Sequence, residues 1–324
     1  MTAWPPISVV VCTRDRAQLL RACLAALARL DYPAYEVIVV DNASRDDSTA
    51  RAVAATPFRY VREEHPGLDW ARNRGAAEAR YDIVAYVDDD AQADPGWLGG
   101  LAGAFAGPNV AAATGLVLPL ELETRAQQLF EEYSGMGKGA QPRLFQRDSM
   151  RPRELAAAHR VGVGANMAFR RNVFDTIGTF DTALDVGTPS GGGGDLDMFH
   201  RILVAGLAIR YEPAAVVRHQ HRRDMPGLRH QLYNNGRSFG VYLIKVWRSR
   251  SLDRRVVARY ALGWFGGWVL ARFIKGLLWL ERFPLPLLWA ELWGACSAPW
   301  AYTATYHRNL RPRPVRSTEL TSSF

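Results

Sequence analysis

Tyr81-Asp-Ile-Val-Ala-Tyr-Val-Asp-Asp-Asp-Ala91 decides the reading of this chain. Ile83, Val84, Ala85, Tyr86 and Val87 form a continuous apolar run, the pattern of a short strand buried on both faces. Asp88, Asp89 and Asp90 stand where that strand ends. Three like charges at one strand tip repel one another unless a cation is shared among them. A hard divalent metal completed by a substrate diphosphate meets that need, because Mg²⁺ prefers oxygen ligands and phosphates. Taken alone, the run fits a solvated acidic turn equally well.

Upstream, Ile7–Cys12 is a β-branched run ending in Thr13-Arg14-Asp15-Arg16, after which Leu20, Leu24, Leu27 and Leu30 recur at helical spacing. Tyr35–Val40 reads as a second strand and ends in Asp41-Asn-Ala-Ser44. A short helix over Ala50–Ala55, a strand at Phe58–Val61 and a helix over Leu68–Ala79 lead to the central strand. Strand and helix alternating with short connections predict an α/β fold with a parallel sheet and right-handed crossovers. Ligands of such sheets gather beyond the carboxyl ends of the strands, where Asp41 and Asp88–Asp90 fall.

Downstream, Pro95–Phe105 reads as a helix, Val110–Leu118 as a strand and Leu122–Tyr133 as a helix. Gly135–Arg153 has no periodicity and is expected to form a mobile loop that could cover substrate. Val161–Phe169 returns to strand character, and Arg171–Ile177 is a short helix. Four glycines at 191–194 precede Asp195, expected at a helix N-cap, with Asp197 two residues on. No Gly-Lys-Ser/Thr follows them, which excludes a phosphate-binding P-loop. Ala208–Val217 is a strand that delivers His219 and His221 to its end. A lone histidine is more often structural, but imidazole at such a strand end can join carboxylates around Mn²⁺ or Mg²⁺.

The 324 residues suffice for one sizeable α/β domain plus an appendage. Cys12, Cys23 and Cys296 have neither metal-ligand nor disulfide spacing, and the first residues lack the basic and apolar regions of a secretion signal. The expected location is therefore cytoplasmic. From Arg218 to Arg316 there are 18 Lys/Arg against 4 Asp/Glu, whereas the remainder holds 22 against 28. Seven of the ten tryptophans lie in the same basic tail. Trp with Arg and Lys suits a membrane interface better than a nucleic-acid groove. Leu228–Val246 reads as a helix, and within Val256–Tyr306 the longest uncharged runs are too short to span a bilayer. The expectation is amphipathic helices on the inner, anionic face of the cell membrane; a packed helical subdomain or dimer interface is the alternative. The division is then 1–223 as the catalytic domain, 224–309 as the basic Trp-rich region and 310–324 as a disordered end.

Over roughly Ile7–Arg223 the chain resembles the family 2 glycosyltransferases of the GT-A fold. The matching features are Val9-Val-Val-Cys-Thr-Arg14, Val39-Val-Asp-Asn-Ala-Ser44 with Asp46 and Ser48, Ala71-Arg-Asn-Arg-Gly75, Val87-Asp-Asp-Asp90, Gly194-Asp-Leu-Asp197 and Val217-Arg-His219. The resemblance implies a Rossmann-like sheet with flanking helices and a UDP- or dTDP-sugar donor. It implies that Thr13, Arg14 and Asp41 hold base and ribose, that Arg72 lies against the nucleotide or its diphosphate, and that Asp88 faces the ribose. Asp90 and His219 would bind Mg²⁺ or Mn²⁺, and Asp195 would be the base that deprotonates a glycan or lipid-linked acceptor. Direct attack would invert the anomeric carbon.

The family often has Glu-Asp where this chain has Gly194-Asp195; Asp197 is the fallback base. The Gln-x-x-Arg-Trp motif of processive synthases is absent, which favours transfer of a single sugar. A sugar-nucleotide-forming nucleotidyltransferase would carry Gly-x-Gly-x-Arg after the first strand, where Thr13-Arg14-Asp15 stands instead. A non-catalytic binding protein would have no need of Asp90, Asp195 and His219 together.

Overall fold

The apolar runs of the N-terminal half become parallel strands, as a computed structural model describing residues 4–107 and 109–309 reveals. The chain runs β1 (Ile7–Thr13), α1 (Ala17–Leu27), β2 (Tyr35–Asn42), α2 (Ser48–Ala54), β3 (Arg59–Glu63), α3 (Leu68–Glu78) and β4 (Ile83–Val87). It continues through β5 (Ala91–Ala93), α4 (Trp97–Ala104), β6 (Val110–Pro119), α5 (Arg125–Tyr133), β7 (Arg143–Phe145) and α6 (Pro152–Leu155). Next come β8 (Asn166–Arg170), α7 (Asn172–Thr176), α8 (Gly194–Val204) and β9 (Ala208–His219). One sheet orders them β3-β2-β1-β4-β8-β6-β9-β5, with β7 also pairing β9.

β1 pairs in parallel with β2 and β4, and β2 with β3, as the alternation predicts. The second half departs from a purely parallel sheet. β8 lies antiparallel to both β4 and β6, with Val87 opposite Asn166. Its start therefore sits where β4 finishes. The intervening chain passes through β7, which pairs with the start of β9, before β8 begins opposite Val87 and runs back along β4. The chain thus has an α/β architecture with a mixed sheet and flanking helices, in keeping with the GT-A fold that the resemblance implies.

Alternating side chains of the strands feed two cores. Ile7, Val9 and Val11 meet Leu20, Leu24 and Leu27 of α1 on one face, along with Trp97 and Leu101 of α4. Val10, Ile38, Val84 and Tyr86 meet Phe169, Met198, Phe199 and Ile202 on the other. Part of the Gly135–Arg153 segment, expected to be irregular, is a short strand: Arg143–Phe145 pairs with Ile209–Tyr211 of β9. Backbone pairing, not side-chain pattern, holds it there.

The C-terminal region comprises α9 (Met225–Ser249), α10 (Arg254–Gly263), a π-helical stretch (Trp264–Leu270), α11 (Ala271–Leu277) and α12 (Leu285–Asn309). Phe239, Tyr242, Leu243 and Val246 of α9 are part of the second core. α12 lies along α9, and the approach is close: a Cβ on Gly236 would meet the α12 backbone, and one on Gly294 would meet that of α9. Much of the apolar content is thereby packed, as in the subdomain alternative. Leu278, Trp279, Leu280, Trp289, Trp293 and Trp300 nevertheless remain exposed. Among the described residues, no helix is long and apolar enough to cross a membrane. The end expected to be disordered, 310–324, lies outside the described residues.

Candidate active site

The carboxyl ends of β1, β2 and β4 converge on a cluster of charges. Thr13 closes β1 opposite Asp41 of β2. Its hydroxyl donates to Asp89 Oδ2 at 2.6 Å. Asp15 adopts a left-handed backbone (φ 56°), so the chain reverses between Arg14 and Arg16. Arg14 is left exposed, while Arg16 turns in to bridge Asp89 Oδ1 (2.7 Å) and Asp90 Oδ2 (2.5 Å). Arg16 received no role from the sequence, because nothing in Thr13-Arg14-Asp15-Arg16 says which arginine faces inward. Asp41 is buried and accepts from Tyr60 Oη (2.7 Å), Arg62 Nη1 (3.2 Å) and the Ser44 backbone N–H (3.0 Å).

Strand register places a histidine beside these acids. β5 runs antiparallel to β9 with Ala91 opposite His219, and the Gln220 N–H donates to the Asp90 carbonyl at 2.9 Å. His219 Nε2 thereby lies 3.1 Å from Asp90 Oδ1. Asp88, Asp90 and His219 each present one ligand atom, all within 4.8 Å of one another. Two carboxylates and an imidazole form a donor set that fits Mn²⁺ or Mg²⁺ with positions left for phosphate oxygens. Burial alone would raise the Asp90 carboxyl, but its hydrogen bond to His219 and the charges of His219 and Arg16 hold it well below the usual range. For His219, burial opposes the charged form, yet Asp90 and Asp88 raise its affinity for a proton. Asp89 is the exception, pushed up to about 7 by burial against the pull of Arg16.

Behind His219 stands a relay that spacing did not reveal. His219 Nδ1 lies 3.2 Å from His221 Nδ1, and His221 Nε2 lies 2.8 Å from Glu131 Oε1 of α5. Glu131 comes from 90 residues upstream, so no local motif marks it.

A second group of acids surrounds Arg72 on α3. Arg72 is buried, and its Nη1 donates to Asp69 Oδ1 at 3.0 Å. Burial disfavours its charge, but Asp69, Asp195 and Asp88 more than offset this and raise its pKa. Asp185 Oδ2 accepts the Asp69 N–H at the start of α3 (3.1 Å). Gly67, at φ 150°, is needed there, since a Cβ would run into the Asp185 carboxylate.

Asp195 does not cap α8 as expected. Gly193 occupies the cap position and Asp195 falls inside the first turn. The left-handed glycines 191–193 carry the chain into the helix without a side-chain cap. Asp195 Oδ2 instead accepts the Gly164 N–H at 2.9 Å. A Cβ on Gly164 would lie 2.7 Å from Arg72 Nη2 and 3.1 Å from Asp195 Oδ2, so both side chains converge on that glycine. Asp195 is half-buried, whereas Asp197 is buried and tied to Arg201 (2.8 Å) and Lys245 (2.7 Å). Both Asp197 oxygens are ion-paired within the fold, whereas the Asp195 oxygens accept only backbone N–H groups, of Gly164 and of Leu196 (2.9 Å).

Asp195 also forms part of the wall of a cavity of about 380 Å³, between the sheet domain and the C-terminal helices. Lys138, His159, Gln231, Phe239, Trp264 and Trp268 contribute to this wall.

A family profile described as glycosyl transferase family 2 matches residues 8–178. The Mycobacterium tuberculosis pre-mycofactocin glycosyltransferase is 29% identical over 226 residues, covering 68% of this chain and 43% of the relative. A glucosyl-dolichyl phosphate glucuronosyltransferase of Haloferax volcanii is 28% identical over 183 residues, covering 54% and 56%. The chain thus spans about half the length of these two relatives. Glycosyltransferase AglE of the same organism is 25% identical over 83% of this chain and 82% of its own length. Among solved structures, the Pyrobaculum calidifontis mannosyltransferase PcManGT, in complex with GDP-Man and Mn²⁺, superposes with a TM-score of 0.61. It is 19% identical and the match covers 92% of this chain and 88% of that one, a likeness of fold. With more than half of its length matched by the family profile, the chain belongs to glycosyl transferase family 2.

Proposed function

We propose that this protein transfers one sugar from a nucleoside-diphosphate sugar to a hydroxyl acceptor, with inversion at the anomeric carbon and with a divalent cation bound. The observation that carries this reading is the convergence of the buried Arg72 guanidinium and the Asp195 carboxylate on Gly164, with Asp88 of the metal-type cluster acting on the same positive charge. Asp88, Asp90 and His219 would hold Mg²⁺ or Mn²⁺, which when bound stabilises negative charge on the departing diphosphate as a Lewis acid. Arg72 adds a fixed positive charge beside that group. Thr13 and Asp41, at facing strand ends, would bind base and ribose, with exposed Arg14 at the rim.

Asp195 is the base. Its carboxylate takes the acceptor hydroxyl proton as the oxygen attacks the anomeric carbon from the face opposite the phosphate. The new carbon–oxygen bond forms as the bond to the phosphate oxygen breaks, and that oxygen leaves with the electron pair. A well-placed base contributes about 10²–10⁴-fold.

The donor is read as a UDP- or dTDP-sugar on the family resemblance, and the acceptor as a lipid-linked or cell-envelope glycan at the inner membrane face. Exposed tryptophans and leucines beside Lys275 and Arg282 support contact with an anionic membrane surface. The test is incubation of the protein with Mn²⁺ or Mg²⁺ across UDP-, dTDP- and GDP-sugars, with the product anomer read by NMR. Asp195→Asn should abolish transfer while nucleotide binding persists. Transfer by Asp195→Asn at the wild-type rate would remove Asp195 from the mechanism.

A further inference from the structure

The cavity beside Asp195 has a wall chemistry that selects what can enter it. Gln231, Asn235 and Ser238 lie on one face of α9 and border the cavity. Opposite chemistry comes from Phe239, Trp264 and Trp268, of which Trp264 meets Phe239 edge-on at 5.0 Å between ring centroids. The π-helical stretch carries Trp264 and Trp268, and both reach the cavity. At about 380 Å³ the space falls within the roughly 300–1,000 Å³ typical of small-molecule pockets.

We propose that this cavity is the acceptor site and that it takes a neutral sugar ring, so that the acceptor is itself a glycoside. The inference rests on the reading of Asp195 as base. Three observations favour a ring bearing hydroxyls over other occupants. Gln231 Oε1 and His159 Nδ1 are buried in the wall without a hydrogen-bond partner, a poor match for a hydrocarbon chain. Asp195 brings a carboxylate to the wall, and the one lysine there, Lys138, is held away from its charged form by burial, an arrangement unsuited to a phosphate or carboxylate acceptor. Burial holds His159 toward its neutral form, and likewise disfavours charge on Lys138 and Glu291. Apolar ring faces of a sugar then rest on the aromatic wall while its hydroxyls meet the amides of α9. Glu291 is itself fixed, accepting from Tyr133 Oη (2.5 Å) and Trp268 Nε1 (2.9 Å), so α12 braces Trp268.

The experiment is saturation-transfer NMR on the full chain without donor, using octyl glycosides of glucose, galactose, mannose and N-acetylglucosamine below their micelle concentrations. Octan-1-ol and octyl phosphate are the comparison probes. Saturation of the ring protons of at least one glycoside is expected. Asn235→Ala should weaken that binding at least tenfold, as should Gln231→Ala, with the thermal midpoint recorded for each variant to separate lost binding from lost fold. Octanol binding as tightly as every glycoside, or octyl phosphate displacing them all, would overturn the sugar-ring assignment. Unchanged affinity in both folded variants would overturn the location. Glycoside binding with no sugar transferred from any donor would overturn the Asp195 reading and support the cavity as a sugar site. Transfer to octanol with no glycoside bound would overturn the present inference and leave glycosyl transfer standing.

Discussion

The carboxylate of Asp69 fills the space that a side chain on Gly194 would need. Asp69 comes from α3 and Gly194 opens α8, so two segments far apart in sequence share one place in the fold. The acidic residue that the family often has immediately before the proposed base is thus matched in space by a carboxylate from another helix. Gly194→Glu alone overpacks this buried point and should cost about 1–3 kcal/mol. Asp69→Ala alone strips Arg72 of its hydrogen-bonded partner and should cost about 3–5 kcal/mol. The double variant should be more stable than the sum of the two by at least about 1 kcal/mol, measured from urea midpoints. Strict additivity would mean that the two positions do not substitute for each other.

The contact of His221 with Glu131 fixes protons around the proposed metal ligand. A proton on His221 Nε2 donates to Glu131, leaving His221 Nδ1 as an acceptor. His219 then carries a proton on Nδ1; without a cation a second proton on Nε2 donates to Asp90, and with a cation bound the Nε2 lone pair would be free to join Asp90 and Asp88 in holding it. Partners of this kind typically contribute 10–100-fold in metal affinity. Glu131→Ala and His221→Phe should each weaken Mn²⁺ binding by about that factor, as read from the free-ion signal in electron paramagnetic resonance. Affinity equal to wild type in both variants would remove the relay from the metal site.

What was legible in the sequence were features that depend on local pattern. Ile7–Thr13 and Ile83–Val87 announce themselves by uninterrupted apolar runs, and the Leu20, Leu24 and Leu27 spacing marks a helix face. Asp88, Asp90 and His219 are legible because strand ends collect ligands, although His219 lies 129 positions beyond Asp90. What stayed hidden depends on register and backbone geometry. The left-handed Asp15 decides between Arg14 and Arg16, and α5 approaches β9 only in three dimensions to join Glu131 to His221. The antiparallel course of β8 comes after a connection whose side-chain pattern has no period to reveal it.

His159 should make the fold sensitive to acid. Burial, with Lys138 and Arg160 nearby, pushes its pKa down from 6.5 to about 4, and the ring edge packs on Phe239. An unfolded chain therefore binds a proton here below pH 6.5 that the fold refuses until about pH 4. Stability contributed by the neutral ring is complete above pH 6.5 and is lost as pH falls through that window. The difference in unfolding free energy between pH 7 and pH 4 should shrink by about 2 kcal/mol in His159→Asn, by denaturant titration. An identical pH slope in wild type and variant would show that the ring titrates normally.

The turn joining α11 to α12 is where membrane contact should be strongest. Trp279 is 93% exposed and Leu280 74%, at the tip of a segment whose neighbours Lys275 and Arg282 are also exposed. Trp289 and Trp293 continue an apolar surface on α12, stacked with centroids 6.3 Å apart. Indole and leucine side chains entering the interface gain about 1.5–3 kcal/mol each on full burial, while the cations are drawn to anionic headgroups. Trp279→Ser with Leu280→Ser should therefore lower co-sedimentation with phosphatidylglycerol vesicles at least tenfold. Both side chains are so exposed that the thermal midpoint should hold. Raising salt to 0.5 M should weaken the wild type further, by screening the basic contribution (about 0.5 M shortens the Debye length to roughly half its physiological value). Wild-type protein that stays in the supernatant at low salt would leave the exposed tryptophans to another partner.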